Sequence, residues 1–411
     1  MKTLKAVFSA LLLFSLSLTG CSVPSNPLTE SNTATSATEA VTNTPKLPQT
    51  PRNLQLGGVD ISRYKIVYAM NEAKPYVIGQ SSDFWSDDYD AELQTAKRLA
   101  EILKAYCNVE LEIGVDMSTP KSEYEILIGV TNRQESKTAA TVVLDTDNYE
   151  IGMVGTKLVV RGGAYGSMYH GLDGLENWLQ SDLENNLYNL TESDPIVGSY
   201  KLKHVACIGD SITEGYSASN RKYLSYVATL GRMCWRECEV FNYGRGSKTM
   251  RSDFEDSYQL CDQWLACLEN DVQYDVVLVM LGTNDSNRDR DWTARDNDLY
   301  IASAREIVDR VKSRSPNAKF VIMNCPAYYG SANYGSSSVR AAQSETVDAL
   351  QSEGYAVRLY DMYTFTVNHL GKERFPDKLH PDDRGHFEIA RAVDEMLHLL
   401  EEGKNNQYLI K

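Results

Sequence analysis

The stretch HVACIGDS, residues 204–211, joins a run of apolar residues to a polar Gly-Asp-Ser turn. It opens a region in which apolar runs alternate strictly with segments of helical periodicity. The apolar runs predict strands at 204–209, 238–243, 275–281, 318–323 and 355–360. Because these runs are continuous, the strands are expected to be buried on both faces, as in a parallel sheet covered by helices. Residues 201–405 are therefore predicted to form a three-layer α/β domain.

The segment before this region has a different order of predicted strands and helices, which predicts a smaller α+β domain over residues 57–200. Its predicted elements are strands at 64–69, 109–115 and 124–130, helices at 90–106 and 166–180, and a hairpin at 149–163 with its turn at Gly155-Thr156. The chain of 411 residues is longer than one hydrophobic core usually serves, which agrees with two domains.

The first 21 residues have the layout of an export signal. Lys2 and Lys5 precede an apolar run at 6–18, which is too short for a typical membrane span. The following Leu18-Thr19-Gly20-Cys21 resembles the lipobox of bacterial lipoproteins, which implies acylation of Cys21 and anchoring to a membrane, facing the cell exterior or the periplasm. An ordinary signal peptide with an incidental cysteine is the alternative, and the small residues before Cys21 speak against it. Residues 22–56, rich in Ser, Thr, Asn and Pro, are predicted to be a flexible tether.

Charge and cysteine content exclude several classes of protein. The net charge of -15, without a basic cluster, argues against a nucleic-acid partner. The cysteines other than Cys21 form no CxxC pair, so neither a disulfide framework nor a zinc ribbon is expected. These seven are Cys107, Cys207, Cys234, Cys238, Cys261, Cys267 and Cys325. Buried free thiols are the favoured interpretation, and a bridge within 234–238 or 261–267 stays open.

The polar residues that could take part in catalysis or ligand binding follow the predicted strands. Ser211 follows the first strand, the glycine-rich NYGRGSKT (242–249) the second, Asn284 in LGTNDS the third, and PDKLHPDDRGH (376–386) the fifth. The carboxyl ends of parallel strands meet at one edge of a sheet, and ligands of such sheets bind there. Each feature alone also fits a helix cap or a tight turn, but their common position predicts one site.

These four stretches together resemble the blocks of the SGNH (GDSL-type) hydrolases, serine esterases with a flavodoxin-like three-layer fold. GDSITEG is similar to the first block, NYGRGS to the second, GTND to the third and DKLHP to the last. The resemblance implies that Ser211 is the nucleophile, His380 the general base and Asp377 the residue that orients it. No metal or cofactor is implied.

The same resemblance assigns an oxyanion hole to the Ser211 N–H, a second-block amide and the Asn284 side chain. Many members of the family have a glycine at the position of Ser247, whereas Gly246 lies one residue earlier here. Both amides stay candidates. The flanking Asp210 and Asp285 are expected to support the turn and the loop through hydrogen bonds.

The chemistry of these residue types agrees with the assigned roles. A serine hydroxyl needs an adjacent base to take its proton, and histidine has a pKa near neutrality. A carboxylate on the other ring nitrogen fixes the tautomer and stabilises the imidazolium. The alternative for residues 376–386 is a metal site, which is disfavoured because His380 and His386 are six apart and no third ligand motif accompanies them. Asp382, Asp383 and His386 are predicted to begin the last helix instead.

The sequence says less about the substrate. Aromatic residues that suit sugar rings occur in the loops near the predicted site, and 324–337 is a candidate substrate loop. They are Tyr216, Trp292, Tyr328, Tyr329 and Tyr334. YKIVYA (64–69), YEILIGV (124–130) and the helical stretch GGAYGSMYHGLDGLENWL of the N-terminal domain resemble the α+β domain that precedes the barrel in some α-glucuronidases and hexosaminidases.

We therefore expect an anchored esterase that removes acetyl or other small acyl groups from a glycan. The alternatives are a general esterase or lipase of small esters, an enzyme of cell-wall glycan, and an inactive glycan-binding lipoprotein. The complete set Ser211, Asn284, Asp377 and His380 speaks against an inactive protein.

Overall fold

The computed structural model describes residues 47–77 and 85–410. The predicted signal segment, Cys21 and the tether up to residue 46 lie outside the described residues. No helix in the described part of the chain is long and apolar enough to cross a membrane.

The N-terminal part contains a six-stranded mixed sheet, a small three-stranded sheet and four helices among the described residues. The strands are β1 (Asn53–Leu56), β2 (Val59–Asp60), β3 (Lys65–Tyr68), β4 (Ile113–Val115), β5 (Glu125–Ile128), β6 (Asn148–Val154), β7 (Lys157–Gly162), β8 (Leu187–Leu190) and β9 (Ile196–Ser199). The helices are α1 (Lys74–Val77), α2 (Ala91–Cys107), α3 (Gln134–Ala139) and α4 (Tyr165–Gln180). The larger sheet has the order β4-β3-β5-β7-β6-β9, in which the first four strands are parallel.

Successive side chains along these strands pack on opposite faces of the sheet. Ile66 and Ile126 pack with the apolar side chains of α2 and α4, whereas Val67, Leu127 and Val159 point to the other face. Successive side chains of a strand point in opposite directions, so each strand serves both cores.

The predicted tether extends too far, because its last four residues form β1. Leu54 and Leu56 are buried, and β1 pairs in parallel with β8 in the register Leu54↔Tyr188. A strand of four residues whose partner is more than a hundred positions away gives little local signal, which explains the error.

The C-terminal part contains a second six-stranded sheet among the described residues. Its strands are β10 (Lys203–Gly209), β11 (Cys238–Gly244), β12 (Val276–Met280), β13 (Lys319–Met323), β14 (Val357–Tyr360) and β15 (Leu409–Ile410). The helices are α5 (Ser211–Glu214), α6 (Arg221–Leu224), α7 (Tyr226–Met233), α8 (Asp262–Glu269), α9 (Asp285–Arg288), α10 (Ala294–Lys312), α11 (Ser337–Ser352), α12 (Met362–His369) and α13 (Asp383–Glu401).

The order of this sheet is β11-β10-β12-β13-β14-β15, and only the last strand is antiparallel among those described. Apolar residues of α8, α10 and α11 form a core on one face, and those of α7, α12 and α13 form a core on the other. The first five strands follow the flavodoxin-like order 2-1-3-4-5. The predicted α/β fold is confirmed, and the strand order places the ends of β10, β11 and β12 side by side.

A buried ion pair ties β5 to the loop before α3. Arg133 donates to both carboxylate oxygens of Glu125, with Nη2 to Oε1 at 2.9 Å and Nε to Oε2 at 3.2 Å. Lys157 Nζ lies 3.0 Å from Oε2, and both Glu125 and Arg133 are at most 1% exposed. Burial alone would raise the pKa of Glu125, but the hydrogen bonds from Arg133 and Lys157 hold that pKa at about 2. The carboxylate is thus ionised and depends on its partners.

Replacing one member of this pair should destabilise the protein strongly. Arg133→Met removes the bidentate partner of a buried carboxylate and leaves it with Lys157 at 3.0 Å and Lys65 at 3.7 Å, and the free energy of unfolding is expected to fall by about 3–5 kcal/mol. Urea unfolding followed by tryptophan fluorescence measures the change. Arg305→Met breaks a more exposed pair with Glu353 and serves as the control, with an expected loss below about 1 kcal/mol. Similar losses for both variants would contradict the interpretation.

Candidate active site

The turn from β10 into α5 presents Ser211 at the edge of the sheet. Asp210 caps the short helix, since its Oδ1 accepts the Ile212 N–H at 3.0 Å. Ser211 is the first residue of α5, so its own N–H has no acceptor within the helix. Burial raises the pKa of Asp210 to about 6, and the hydrogen bond from Ile212 opposes the rise. The predicted supporting role of Asp210 matches this geometry.

Ser211, His380 and Asp377 form one hydrogen-bonded chain. Ser211 Oγ lies 2.8 Å from His380 Nε2, and His380 Nδ1 lies 2.5 Å from Asp377 Oδ2. With the proton on Nδ1, the ring donates to Asp377 and leaves Nε2 free to accept the serine proton. The structure thus brings together three side chains that the sequence separates by 169 positions.

A tight turn holds Asp377 against the histidine. Asp377 Oδ1 accepts the N–H groups of Leu379 at 2.9 Å and His380 at 2.7 Å. Lys378, which follows Asp377, has a left-handed φ of 74°. Burial acts to raise the pKa of Asp377, but the bonds from His380 and Leu379 lower it below the usual value. The carboxylate is therefore ionised at neutral pH and can stabilise an imidazolium.

The glycine-rich loop after β11 lies against Ser211 and offers two different amides. The Gly246 N–H donates to Glu214 Oε2 at 2.7 Å, so this amide is already occupied. Ser247 lines the same cleft, and its N–H has no acceptor among the described residues. Ser247 also has a φ of 64°, the left-handed conformation that favours glycine. This conformation is compatible with the glycine that the family resemblance places at this position.

Asn284 and Asp285 connect the loop after β12 to the loop after β11. Asn284 Nδ2 donates to the Lys248 carbonyl at 2.9 Å, which uses one of its two amide hydrogens. Asp285 accepts the Met250 and Arg251 N–H groups, both at 3.0 Å. Burial raises the pKa of Asp285 to about 6, against these two bonds. Asn284 is thereby held at the cleft with one amide hydrogen available.

The remaining polar residues of 376–386 begin the last helix, as the sequence suggests. Asp382 caps α13 by accepting the Gly385 N–H at 2.8 Å, and Asp383 accepts the Ser219 N–H at 2.7 Å. His386 is fully buried, where its Nδ1 accepts the Tyr226 N–H at 3.2 Å and its Nε2 donates to the Tyr216 carbonyl at 3.1 Å. His386 therefore connects α13 to the segment that carries Tyr216.

These side chains surround a cleft of about 610 Å³. Of the predicted aromatic residues, Tyr216, Tyr328 and Tyr334 line it, and the Tyr216 ring lies 4.5 Å from the ring of His380. Trp292 and Tyr329 are not among its lining residues. The Trp292 indole donates to Asn297 Oδ1 at 2.6 Å, and Tyr329 packs on Phe375 with ring centroids 5.3 Å apart.

Sequence reasoning missed the charged wall of this cleft. Glu214 pairs with Arg221 at 2.8 Å, and the Arg221 guanidinium lies 4.5 Å above the Tyr216 ring. Arg245 also lines the cleft. The available signal was a carboxylate three positions after Ser211, which places both residues on one face of a helical turn.

The described residues contain no group of three or more His, Cys, Asp or Glu side chains arranged to hold a metal ion. The seven cysteines are free thiols in the structure, and all except Cys234 are buried. The bridges that the sequence left open at 234–238 and 261–267 are thus not formed.

The fold and the site define an α/β protein with a serine–histidine–aspartate chain beside unoccupied N–H donors. Residues 207–386 match the model of the GDSL-like lipase/acylhydrolase family. This match agrees with the family predicted from the four sequence blocks.

Comparisons with individual proteins give more distant similarities. An acetylxylan esterase from Xylanibacter ruminicola is 26% identical over 250 residues, which cover 56% of this chain and 50% of that protein. A two-domain esterase (CEX) active on acetylated mannans, crystallised with mannopentaose, is 19% identical, with a TM-score of 0.35 over 50% of this chain and 52% of that one. A family two carbohydrate esterase from Clostridium thermocellum, in complex with cellohexaose, is 17% identical, with a TM-score of 0.36 over 50% of this chain and 67% of that one. The chain thus matches about half the length of the curated relative.

The buried His386 should make stability depend on pH. Burial lowers the pKa of His386 to about 4, whereas an unfolded histidine titrates near 6.5. The unfolded chain therefore binds the proton first, and stability is lost as the pH falls from about 6.5 to about 4, by an amount on the order of 3 kcal/mol. The raised pKa values of Asp210 and Asp285 act in the opposite direction. The contribution of His386 is therefore measured by urea unfolding at pH 7.5 and pH 4.5 in variants with and without this histidine.

Two variants of α13 isolate the effect of this histidine. His386→Gln should show a smaller loss of stability between the two pH values than the parent protein. His398→Gln removes an exposed histidine of the same helix and should leave the loss unchanged. An identical pH dependence in His386→Gln and the parent would exclude His386 as its source.

Proposed function

We propose that the chain is a serine esterase that removes acyl groups, with acetyl as the preferred group, from a carbohydrate. The observation that carries the proposal is the hydrogen-bonded chain from Ser211 Oγ through His380 to Asp377 at the wall of an open cleft. A surface serine that only caps a helix would have no base at hydrogen-bond distance.

The geometry supports a two-step acyl transfer. As Ser211 Oγ attacks the ester carbonyl, His380 Nε2 takes the hydroxyl proton, and the imidazolium is stabilised by Asp377. Collapse of the tetrahedral intermediate breaks the bond to the sugar oxygen, which leaves with the proton from His380. Water then attacks the acyl-serine with His380 again as base, so that the acid is released and Ser211 regains its proton.

The oxyanion of this intermediate requires fixed donors. We assign the Ser211 N–H, the free amide hydrogen of Asn284 and the Ser247 N–H to this role. Ser247 is preferred to Gly246 because Glu214 already accepts the Gly246 N–H. Such donors typically contribute a factor of about 10²–10³ each to the rate.

The lining of the cleft favours a sugar over a lipid chain. Arg221, Arg245 and Glu214 supply charged donors and acceptors, and three tyrosines supply faces on which a pyranose ring can stack. The similarity to an acetylxylan esterase supports the same substrate class. Export and anchoring through Cys21 rest on the sequence alone and stay part of the proposal.

Loss of the nucleophile tests the reaction type. Ser211→Ala removes the attacking oxygen, and the kcat for p-nitrophenyl acetate is expected to fall by about 10⁴-fold or more. Release of p-nitrophenolate measures the rate. Ser313→Ala changes an exposed serine of the same domain and should keep the parent rate. An active Ser211→Ala variant would rule out the serine mechanism.

The substrate class is tested by comparing esters that differ in both the acyl group and the alcohol. Acetylated xylan oligosaccharides are expected to give a kcat/KM at least about tenfold above p-nitrophenyl palmitate, since a polar cleft gains little from a long alkyl chain. Released acetate and p-nitrophenolate measure the two rates. Equal or faster cleavage of the long-chain ester would instead favour a lipase.

A further inference from the structure

A second cavity, of about 490 Å³, lies at the carboxyl ends of parallel strands in the N-terminal sheet. Its walls include residues that follow β3, β4 and β5, together with the turn at 162–165 between β7 and α4. The chain runs from β3 through α2 to β4 on one side of β3, whereas β5 lies on the other side. Strand order reverses at this point, and α/β sheets bind ligands in the crevice at such reversals.

Three carboxylates line this cavity without a cationic partner. Glu92 of α2 is 6% exposed, and its Oε2 accepts no hydrogen bond from the described residues. Asp116 accepts only backbone amides, from Met70 at 3.1 Å and from Asn132 at 2.7 Å. Glu239 comes from β11 of the C-terminal domain, and no Lys or Arg of the described chain pairs with it. The cavity therefore has an excess of negative charge.

The nearby cations are engaged elsewhere. Arg161, which lines the cavity, donates through Nη2 to Glu150 Oε2 at 2.8 Å, although its buried Nε has no acceptor among the described residues. Lys74 lies 3.6 Å from Asp90, and Lys222 lies 2.9 Å from Glu72. A buried carboxylate without a counter-charge is costly, because burial removes its hydration and nothing replaces it. A positively charged ligand would supply the missing counter-charge.

The pKa values of the glutamate side chains in the cavity reflect the lack of cationic partners. Burial raises the pKa of Glu92 to about 8, and the carboxylates of Asp90, Glu72 and Asp116 add to the rise. Burial likewise raises the pKa of Glu239 to about 7. Glu72 and Arg161, with their own partners, and Tyr165 are the other titratable residues that line this space, and Lys74 lies near it beside Asp90.

Much of the remaining wall is apolar or aromatic. Met70, Met117, Val130, Tyr165 and Met168 form this part, beside the polar Asn71, Glu72 and Arg161. Met117 and Val130 are 69% and 59% exposed. Thioethers adapt to irregular alkyl groups, and an aromatic face attracts a cation.

We propose that this cavity binds a small organic cation, in which an ammonium group is carried by an apolar body. Glu92 and Glu239 are the counter-ions, and the methionine and tyrosine side chains surround the apolar part. Because Glu92 belongs to α2 and Glu239 to β11, the ligand contacts both a helix that packs on the N-terminal sheet and a strand of the C-terminal sheet. The proposal does not depend on the esterase activity, since this cavity and the Ser211 cleft share no lining residue.

Calorimetric titration of the full chain with hexylammonium chloride and 1-hexanol tests the charge requirement. The ammonium is expected to bind at least about tenfold more tightly than the alcohol at pH 8.5. Its affinity should fall by about tenfold or more at pH 6.0, because the carboxyl protons must then be released. Equal affinities for the two compounds, or binding of xylose in place of hexylammonium, would overturn the proposal.

Conservative variants locate the site. Glu92→Gln and Glu239→Gln keep the shape of the side chain, and each should weaken hexylammonium binding at least about tenfold. Glu101→Gln changes an exposed residue of the same helix α2 and should bind as the parent does. The melting temperature and the hydrolysis of p-nitrophenyl acetate show whether each variant is folded. Unchanged binding in both cavity variants would place the ligand elsewhere and refute the assignment.

Discussion

The active-site geometry depends on the close contact of α5 with the ends of two strands. A Cβ on Gly209 would lie 2.0 Å from Thr213 Oγ1, and a Cβ on Gly244 would lie 2.1 Å from the Glu214 backbone nitrogen. Only glycine permits this approach. As a consequence, α5 crosses the ends of β10 and β11 directly, Ser211 is presented at the edge of the sheet, and Glu214 comes within reach of the Gly246 amide. A larger residue at either glycine would displace the nucleophile and the second loop together.

The loops around Ser211 are supported by hydrogen bonds to one another more than by their own local structure. Asp285 fixes the backbone at 250–251, Asn284 holds the carbonyl of Lys248, and Glu214 holds Gly246. His386 adds a bond from α13 to the segment of Tyr216. Each support joins residues from different strand ends, so the donors and the base stay in place without a bound substrate. Such preorganisation is what stabilisation of a developing oxyanion requires.

The sequence predicts the parts of this structure whose signal is local. Continuous apolar runs locate β10 to β14, and the rule that the carboxyl ends of parallel strands share one edge of the sheet predicts that Ser211, Asn284 and His380 lie together. Short edge strands such as β8, β9 and β15 are missed because distant pairing, not composition, defines them. The ion pair of Glu125 and Arg133, the bond from Glu214 to Gly246 and the burial of Glu92 also depend on packing. Trp292 and Tyr329 show the converse, since an aromatic residue in a loop can belong to the core.

The carboxylates show how one functional group takes different roles through its surroundings. Asp377, with its side chain 41% exposed, keeps a lowered pKa because N–H donors surround it, so it can stabilise a positive charge on His380. Asp210 and Asp285 are fully buried, and their raised pKa of about 6 marks them as acceptors that hold backbone amides. Glu92 is buried as well, and its Oε2, like Oδ2 of Asp210, has no donor among the described residues. Neighbouring carboxylates add to the effect of burial, and its pKa rises further, to about 8. Asp377, with three N–H donors, has the lowest pKa of these groups, and Glu92, among neighbouring carboxylates, has the highest. A carboxylate in such surroundings at the wall of a cavity is best explained by a ligand that supplies the charge.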